Sequence, residues 1–395
     1  MTGKTDRNKT SVLITGLGVI SAAGTGLPET LASFRRGERN AGPVSLFTTS
    51  LECPVFEVRQ IPAGFKVEKS RTLGLSLCAV DEALNSASLG DITKLRVGVS
   101  MGTTVASQLN DLEFYRSYRS RGAASMEAAD RYLKGNIAEF IARRIKARGP
   151  RLTVVNACSS GTDAIGVAFS WLKNGLCDIA VAGGADELSL IPLCGFSSLG
   201  IVNQSLCSPF DRDRSGLNLG EGAGILILET GASAKLRGKS SELRILGYGA
   251  SADAYHLTAP RPDGAGLEAS INKALAEAGI GPDEVSFVNA HGTGTTDNDL
   301  VEGKVLGRMF GPDLKVLSTK GFTGHTLGAA GGLEAAFTAA ALSDGWIPSS
   351  PGFRSKDDEI PITPVKVETV IKGRYAISTS LAFGGNNAAL VIGRS

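Results

Sequence analysis

The sequence predicts an α/β protein built from two similar halves. Strand-like apolar runs alternate with helical patterns along the chain, which is typical of parallel strands covered by helices on both faces of a sheet. The opening strands of the two halves resemble each other, Ile14-Thr-Gly-Leu-Gly-Val-Ile-Ser21 and Ile245-Leu-Gly-Tyr-Gly-Ala-Ser-Ala252. Because the same order of elements follows each of them, we predict an internal duplication, with halves at residues 1–240 and 241–395.

Each element is predicted from a local pattern. The strands are apolar runs that end at glycine or polar residues, namely Val12 to Ile20, Arg96 to Met101, Thr153 to Asn156, Asp178 to Gly183, Gly224 to Glu229, Leu243 to Ala252, Val285 to Asn289, Lys315 to Ser318, Arg374 to Ser380 and Asn387 to Ile392. The helices carry apolar residues three or four positions apart, over Leu73 to Leu84, Ala164 to Leu172 and Leu267 to Ala278. Gly175 and Gly279 end the last two. The polar stretch Gly231 to Ser241 is expected to join the halves.

Composition excludes several classes of protein. The chain has 395 residues, 42% of them hydrophobic, and a formal net charge of +2, which exclude a disordered chain. The six cysteines are scattered and form no C-x-x-C pair, which excludes a disulfide scaffold and a zinc ribbon. So small a net charge provides no overall field to attract nucleic acid. With only three histidines, a site that needs several must use nearly all of them.

Two apolar segments could be mistaken for targeting or membrane segments. Basic residues precede the run Val12 to Ile20 as they do in a signal peptide, but Gly16 and Gly18 interrupt the run, which we interpret as a strand. The segment Leu327 to Leu342 is too short to span a bilayer and contains Glu334, so it is predicted to be a buried helix. We therefore expect no membrane partner and a cytoplasmic location.

Two motifs that resemble ligand-binding loops are incomplete. Gly16-x-Gly18 lacks the third glycine of a dinucleotide-binding turn, where Ser21 stands instead. Asp297 and Asp299 have the spacing of a calcium loop, but its glycine and distal glutamate are missing. We expect neither a nucleotide nor a metal, and we interpret Asp297 as the cap of the following helix.

One cysteine has the surroundings of a nucleophile. Cys158 lies in Asn156-Ala-Cys-Ser-Ser-Gly161, between the end of a strand and the start of a helix. The unpaired N–H groups and positive end of a helix favour a thiolate, and a tight turn leaves the sulfur accessible. We therefore predict that Cys158 is reactive. The other five cysteines are interpreted as small packing residues.

Three further segments place polar side chains just after predicted strands. His291 begins a Gly/Thr turn, and Lys320 and His325 lie in the turn that follows Ser318. The loop at Phe383 is rich in glycine, which lets backbone N–H groups approach a ligand closely. In an open α/β sheet such strand ends are where sites form, so the sequence predicts that these side chains meet.

The chain resembles the β-ketoacyl-acyl carrier protein synthases, condensing enzymes of the thiolase fold, from about Ser11 to Gly393. The resemblance rests on the order and joint presence of Ala157-Cys158-Ser-Ser-Gly161, Pro209-Phe-Asp-Arg-Asp-Arg-Ser-Gly216, Leu219-Gly-Glu-Gly-Ala-Gly224, His291-Gly-Thr-Gly-Thr295, Lys320 with Gly324-His325, and Phe383-Gly-Gly385. It implies two βαβαβαββ halves in five layers, α-β-α-β-α. It also implies decarboxylative condensation of an acyl-enzyme thioester with malonyl-acyl carrier protein.

The resemblance implies a role for each candidate residue. Cys158 is similar to the nucleophile, while His291 and His325 resemble the pair that assists decarboxylation and stabilises the enolate. Lys320 resembles the lysine that orients this site. The N–H groups of Cys158 and Phe383 are similar to the oxyanion hole, and the Phe383 side chain resembles a gate.

Further positions are implied with less direct roles. They are Thr293 and Thr295 on the pantetheine arm, Val105 at the depth of the acyl chain, Asn387 in the C-terminal loop, Glu334 behind the site, and Asp253 in a segment that faces the gate and contains His256. No metal or organic cofactor is implied, since loss of CO2 drives the condensation. Acyl carrier protein is the implied partner, together with a second copy of the chain or a related subunit.

Departures from the family pattern leave alternatives open. The C-terminal loop reads Leu381-Ala-Phe-Gly-Gly-Asn-Asn387 where relatives commonly have F-G-F-G-G-T-N, and Phe196 to Cys207 contains no Arg or Lys. A specialised pathway, such as aryl polyene synthesis with a partner subunit, is therefore an alternative to fatty acid synthesis. A non-catalytic chain-length-factor-type partner is a second alternative. A thiolase is a third, although thiolases use a second cysteine near the C-terminus and the last cysteine here is Cys207.

Overall fold

A computed structural model describes residues 11–67, 70–89, 92, 95–104, 108–127, 130 and 136–395. The strands are β1 (Val12–Ser21), β2 (Gly24–Thr25), β3 (Val97–Gly102), β4 (Arg151–Val154), β5 (Ile179–Asp186), β6 (Gly222–Thr230), β7 (Leu243–Ala252), β8 (Val285–Asn289), β9 (Lys315–Leu317), β10 (Trp346–Ile347), β11 (Thr369–Val370), β12 (Tyr375–Ala382) and β13 (Asn386–Arg394). The α-helices are α1 (Leu27–Arg36), α2 (Arg71–Ser86), α3 (Gln108–Arg121), α4 (Ile137–Ile145), α5 (Ser160–Lys173), α6 (Leu190–Ser198), α7 (Gly231–Leu236), α8 (Ala265–Ala278), α9 (Thr296–Phe310), α10 (Lys320–Thr323) and α11 (Ala330–Asp344).

The main sheet confirms the duplication. Among the described residues its strands run β4-β3-β5-β6-β1-β7-β13-β12-β8-β9, so the second half repeats the order of the first in reverse about the β1–β7 junction. The halves meet where Val12 pairs with Ile245 and Leu13 with Arg244, antiparallel. Each half follows the βαβαβαββ order that was expected.

The layers are visible in three separate cores. Along β6, Ile225 and Ile227 point to the core beneath α2 and α4, while Leu226 and Leu228 point to the core around α5 and α11. This alternation follows from the period of two residues in a strand. A third core lies between the second half of the sheet and the helices α8 and α9. Helices α5 and α11 therefore lie in the middle, covered by sheet on both sides.

The sheet is mixed, which corrects the prediction of a parallel sheet. β3, β4 and β5 are parallel to one another, as are β8, β9 and β12, but β1, β6, β7 and β13 run antiparallel to their neighbours. The short loop 383–385 between β12 and β13 explains one of these pairs, because parallel strands need a long crossover connection.

Four further predicted segments have counterparts in the structure. β4 ends at Val154, not at Asn156. The backbone N–H of Asn156 donates to the Ser160 hydroxyl, 2.8 Å away, and so does not continue the strand. The polar stretch that was expected to join the halves contains helix α7. The run Val12 to Ile20 is a strand and the segment around Glu334 is a buried helix, as predicted. In the part of the chain described above, no helix is both long and apolar enough to cross a membrane.

Candidate active site

The candidate residues from both halves meet at the carboxyl ends of the strands. Cys158 follows β4, His291 follows β8, and Phe383 follows β12, while His325 comes shortly after the one-turn helix α10. All four line one cavity of about 380 Å³. The prediction that these strand ends converge is therefore confirmed.

The turn that carries Cys158 is tightly built. Ala157 has a left-handed backbone, with φ of 48°, which is unfavourable for a residue with a side chain. Gly102 at the end of β3 lets the start of α5 approach, because a Cβ there would lie 2.3 Å from the carbonyl carbon of Ser160. The nucleophile is thus held at the buried start of the central helix α5.

The resting thiol differs from the sequence prediction. Cys158 is only 5% exposed, and burial raises the pKa of its thiol to about 12, although Lys320 and the Phe383 N–H act in the opposite direction. The expectation of an accessible thiolate was therefore wrong, because desolvation outweighs the helix terminus. A protonated thiol needs a base close by.

His325 supplies a nitrogen at the right distance. Its Nε2 lies 3.0 Å from Sγ of Cys158. The backbone is fixed on both sides of the ring, since the His325 N–H donates to the Asn218 carbonyl and its own carbonyl accepts from the Gly220 N–H. Burial and Lys320 lower the pKa of His325 well below its ordinary value, so the ring is neutral and able to accept a proton.

Lys320 determines which ring nitrogen of His291 carries the proton. Its ammonium nitrogen lies 3.1 Å from Nδ1 of His291. An ammonium group only donates, so Nδ1 accepts and the proton of the neutral ring is on Nε2. Burial, Lys320 and His325 together lower the pKa of His291 well below its ordinary value. The two imidazole rings are 5.2 Å apart, edge to face, so both reach the same part of the cavity.

Glu334 on α11 neutralises the buried lysine. Its Oε1 accepts a short hydrogen bond from Lys320, and both side chains are almost completely buried. Burial raises the pKa of Glu334, and the neighbouring ammonium opposes that shift. The placement of Glu334 behind the site agrees with the sequence prediction.

The loop at Phe383 covers the cavity. Phe383 stacks on Phe196 of α6, with ring centroids 5.2 Å apart, and Phe196 in turn meets the edge of His325. Gly384 and Gly385 have φ of 87° and 78°, a backbone that favours glycine. The Gly384 N–H donates to the Leu257 carbonyl, which ties this loop to the segment that begins at Asp253.

The remaining implied residues surround the mouth of the cavity. Asp253 Oδ1 accepts from the side-chain amide of Asn387 at 2.8 Å, and both residues line the cavity. The hydroxyls of Thr293 and Thr295 also face it and lie 2.8 Å from each other. His256, the third histidine, lines the cavity at its exposed rim.

Comparison with known proteins decides the family. Residues 60–234 match the family of the beta-ketoacyl synthase N-terminal domain, and residues 243–354 match that of the C-terminal domain. A 3-oxoacyl-(acyl-carrier-protein) synthase 2 from Synechocystis sp. is 33% identical over 406 residues, covering 97% of each chain. The chain belongs to the β-ketoacyl synthase family. It is therefore an acyltransferase of the condensing type.

Solved structures agree with this assignment. The ishigamide ketosynthase/chain length factor matches with a TM-score of 0.92 and 31% identity, covering 98% of this chain and 100% of that one. A type II polyketide acyl carrier protein in complex with its ketosynthase matches with a TM-score of 0.89 and 25% identity, covering 98% and 100%. These neighbours confirm the thiolase-like fold of this β-ketoacyl synthase, and a non-catalytic role is not favoured over condensation.

Several residues of this synthase were not singled out from the sequence. Glu302 on α9 accepts from the N–H groups of His291 and Gly292, each at 2.8 Å, and from the Thr379 hydroxyl at 2.7 Å. Its position one helical turn after Asp299 is a signal that could have been noticed, because both carboxylates point back to the same loop. Phe196 has no such signal, since its role depends on the stack with Phe383.

Two positions expected from the sequence do not appear in the described site as expected. Val105 lies outside the described residues. Asp297 is not the cap of α9: Thr295 holds that position, and Asp299 instead accepts from the N–H groups of Phe210 and Gly294. Across the described ranges, no group of three or more His, Cys, Asp or Glu side chains is arranged to hold a metal ion.

Proposed function

We propose that this chain condenses an acyl group, bound as a thioester to Cys158, with malonyl-acyl carrier protein. The observation that carries the proposal is one continuous set of contacts. Cys158 Sγ lies 3.0 Å from His325 Nε2, the His325 ring is 5.2 Å from the His291 ring, and His291 Nδ1 is 3.1 Å from the Lys320 ammonium. A nucleophile, a base and an oriented donor thus share one buried cavity.

The first step loads the acyl chain. The Cys158 sulfur attacks the thioester carbonyl while Nε2 of His325 takes the thiol proton. A carbon–sulfur bond to Cys158 forms, the bond to the pantetheine sulfur breaks, and the proton passes to the departing thiolate. The Phe383 N–H is near enough to the cysteine sulfur to act against the rise of the thiol pKa, so it is close to where the carbonyl oxygen becomes negative.

The second step makes the carbon nucleophile. Malonyl thioester loses CO2, and the electron pair of the broken carbon–carbon bond moves into an enolate. Nε2–H of His291 donates to the enolate oxygen, and this proton is in place beforehand because the Lys320 ammonium occupies Nδ1. A preorganised donor of this kind contributes on the order of 10² to 10³ in rate. The enolate carbon then attacks the acyl carbonyl, and Cys158 leaves as a thiolate that regains a proton.

No resident cofactor is part of the proposal. The electron pair of the enolate comes from the carbon–carbon bond that breaks as CO2 leaves. The protein supplies a neutral imidazole donor and an oxyanion site. Dialysis against a chelator, followed by the condensation assay, tests this point, and a loss of activity restored by a metal would contradict it.

Acyl carrier protein is the proposed partner for both substrates. Support comes from the solved neighbour in which a ketosynthase is bound to its carrier protein, and from the threonine hydroxyls at 293 and 295 that line the entrance. Arg71 at the start of α2 pairs with the buried Glu221 at 2.5 Å. Because its guanidinium already has this partner, we do not expect carrier-protein binding to depend on Arg71.

A second ketosynthase-like chain is the proposed subunit partner. One structural neighbour, the ishigamide ketosynthase/chain length factor, combines a ketosynthase with a chain length factor. Strand β4 lies at the edge of the sheet, and Leu152 and Val155 beside it are 43% and 68% exposed. Unpaired, apolar strand edges are sites of pairing with another chain. Light scattering of the purified chain distinguishes a homodimer, at about twice 40.9 kDa, from a monomer that needs a different subunit.

A specialised polyene pathway is the second candidate within this class. Its support is the altered loop from Leu381 to Asn387. A ladder of saturated and unsaturated acyl-carrier substrates, with products sized by mass, separates this candidate from fatty acid elongation. A preference for polyunsaturated chains would support it, and a preference for saturated chains would contradict it.

The test of the proposed function is a loading assay on Cys158→Ala. Wild-type protein should gain the mass of an acyl group from an acyl-carrier thioester, and the variant should not. Full condensation by the variant would overturn the proposal, and no loading of the wild type would favour a non-catalytic partner. A cytoplasmic location also belongs to the proposal and is tested by cell fractionation.

A further inference from the structure

A buried carboxylate holds the turn that carries Cys158. Asp163 lies in the first turns of α5 and is 6% exposed. Its Oδ2 accepts from the side-chain amide of Asn156 at 2.6 Å and from the Ser159 hydroxyl at 2.8 Å. Asn156 and Ser159 stand on either side of the strained Ala157-Cys158 pair, so one carboxylate oxygen bonds both ends of the nucleophile turn.

The other oxygen of the same carboxylate is fixed by the second half of the chain. Asp163 Oδ1 accepts from the Tyr248 hydroxyl at 2.7 Å, and Tyr248 belongs to β7. Burial and the neighbouring Asp163 raise the pKa of Tyr248, which keeps its hydroxyl a donor. The ring lies against Gly166 of α5, where a Cβ would be 2.5 Å from Tyr248 Cγ. The absence of a side chain at Gly166 makes room for this ring.

Ser160 of α5 supports the same turn from inside, since its hydroxyl accepts from the Asn156 N–H at 2.8 Å and donates to the Ala157 carbonyl at 2.6 Å. Ser159 occupies the N-cap position of α5 without a capping hydrogen bond from its side chain to the helix backbone. A left-handed alanine is unfavourable unless the surroundings hold it in place. The bonds to Asp163 add the side chains of Asn156 and Ser159 to the contacts that fix this conformation.

We propose that Asp163, anchored by Tyr248, is a positioning residue that sets Cys158 Sγ against His325. The inference rests on the proposed function, in which Cys158 is the nucleophile. Asp163 acts through Asn156 and Ser159 and touches neither substrate nor the histidines. His291 is supported by Glu302 and Lys320, and the His325 backbone is bonded to Asn218 and Gly220, so the histidines depend on contacts other than those of the nucleophile turn.

The test separates reactions of Cys158 from the reaction of the histidines. Asp163→Asn replaces one of two accepting oxygens by an NH2 group, so the side chain can no longer accept from Tyr248 and from the turn at once, and Tyr248→Phe removes one donor while keeping the ring against Gly166. The rates to be measured are alkylation of Cys158 by iodoacetamide, acyl loading, and decarboxylation of malonyl-acyl carrier protein. A misplaced nucleophile should slow both cysteine reactions in Asp163→Asn by about 10- to 100-fold. Tyr248→Phe should slow them about fivefold to tenfold.

Decarboxylation separates a positioning role from a general structural role, because a general loss of structure would slow it as well. In both variants it should stay within about twofold of the wild type. Tyr375→Phe makes the same chemical change at the start of β12 and should affect none of the three rates. The proposal is overturned if cysteine alkylation in Asp163→Asn matches the wild type, or if all three rates fall together. If Asp163→Asn does not fold, the same two criteria apply to Tyr248→Phe.

Alkylation needs no acyl substrate, so it tests the positioning role even if condensation is never observed. Slow alkylation in the variants of a chain that does not condense would contradict the proposed function and support the positioning role. Normal alkylation in the variants of a chain that condenses would support the proposed function and contradict the positioning role.

Discussion

Gly331 of α11 lies against Thr162 of α5 so closely that a Cβ on the glycine would be 2.1 Å from the Thr162 hydroxyl oxygen. A Cβ on Gly331 would also lie 2.5 Å from the Thr162 backbone nitrogen, and one on Gly161 of α5 would lie 2.7 Å from the Gly332 nitrogen. The two central helices therefore meet backbone to backbone. This contact brings the start of α5, which follows Cys158, close to the segment that precedes α11 and contains His325.

Gly331→Ala should push the two helices apart. Because backbone atoms cannot yield as side chains do, we expect the substitution to destabilise the fold by about 1–3 kcal/mol. Condensation should also fall, since the Cys158–His325 distance depends on this contact. Urea unfolding and the condensation assay measure both effects. Gly64→Ala is the matched control, because a Cβ at Gly64 meets no atom within 4 Å and should change neither quantity.

Lys320→Met should impair both stability and decarboxylation. It leaves the Glu334 carboxylate buried without its cation, which destabilises a fold by about 3–5 kcal/mol. It also removes the ammonium that keeps the proton of His291 on Nε2, so decarboxylation should fall on the order of 10²-fold. The double variant Lys320→Met with Glu334→Gln should regain much of the stability without regaining the rate. Recovery of both would show that Lys320 has only a structural role.

The pH dependence of stability should report the two buried histidines. The pKa values of His291 and His325 are lowered in the folded state, so the unfolded chain binds protons more readily than the native one below about pH 6.5. Their contribution to stability is therefore complete above that pH and is lost as pH falls. Well below it, each histidine should contribute a slope of about 1.4 kcal/mol per pH unit.

The measurement is the urea midpoint between pH 7.5 and 5.5 for the wild type and for His291→Asn. The variant should lose less stability on acidification, because one buried neutral imidazole has been removed. Equal pH slopes in the two proteins would contradict this assignment. His256→Asn is the matched control, because it makes the same substitution at the exposed rim of the same cavity.

Phe196→Leu should alter the choice of acyl chain more than the chemistry. The stack of Phe196 on Phe383 stabilises the covering loop by about 0.5–1.5 kcal/mol. Without it, we expect a wider range of acyl lengths to be loaded on Cys158, while malonyl decarboxylation stays near the wild-type rate. Competition among mixed acyl-carrier substrates, read by protein mass, tests this. Phe310→Leu at the end of α9 is the matched control, and an unchanged acyl profile in Phe196→Leu would contradict the prediction.

The sequence allowed the strand ends to be located because buried strands are short apolar runs that stop at glycine or polar residues. Cys158 and His291 could be identified as candidates because each follows such a stop closely, and His325 because it lies in the turn after Ser318. The supporting contacts could not be identified in this way. Asp163 and Tyr248 are 85 positions apart, and their hydrogen bond exists only because β7 crosses behind α5. The protonation of Cys158 was also misjudged, since the effect of a helix terminus is visible in sequence and burial is not.

The mirrored strand order makes the loops of the two halves equivalent in pairs. The loop after β4, which holds the thiol, corresponds to the loop after β9, which holds Lys320. The loop after β3, which begins at Thr103, corresponds to the loop after β8, which contains His291. Equivalent connections thus carry a nucleophile in one repeat and a cation in the other, or a hydroxyl in one and an imidazole in the other. A protein assembled from two copies of either repeat would keep the sheet order but would contain no complete set of reacting groups, because the chemistry depends on the difference between the repeats.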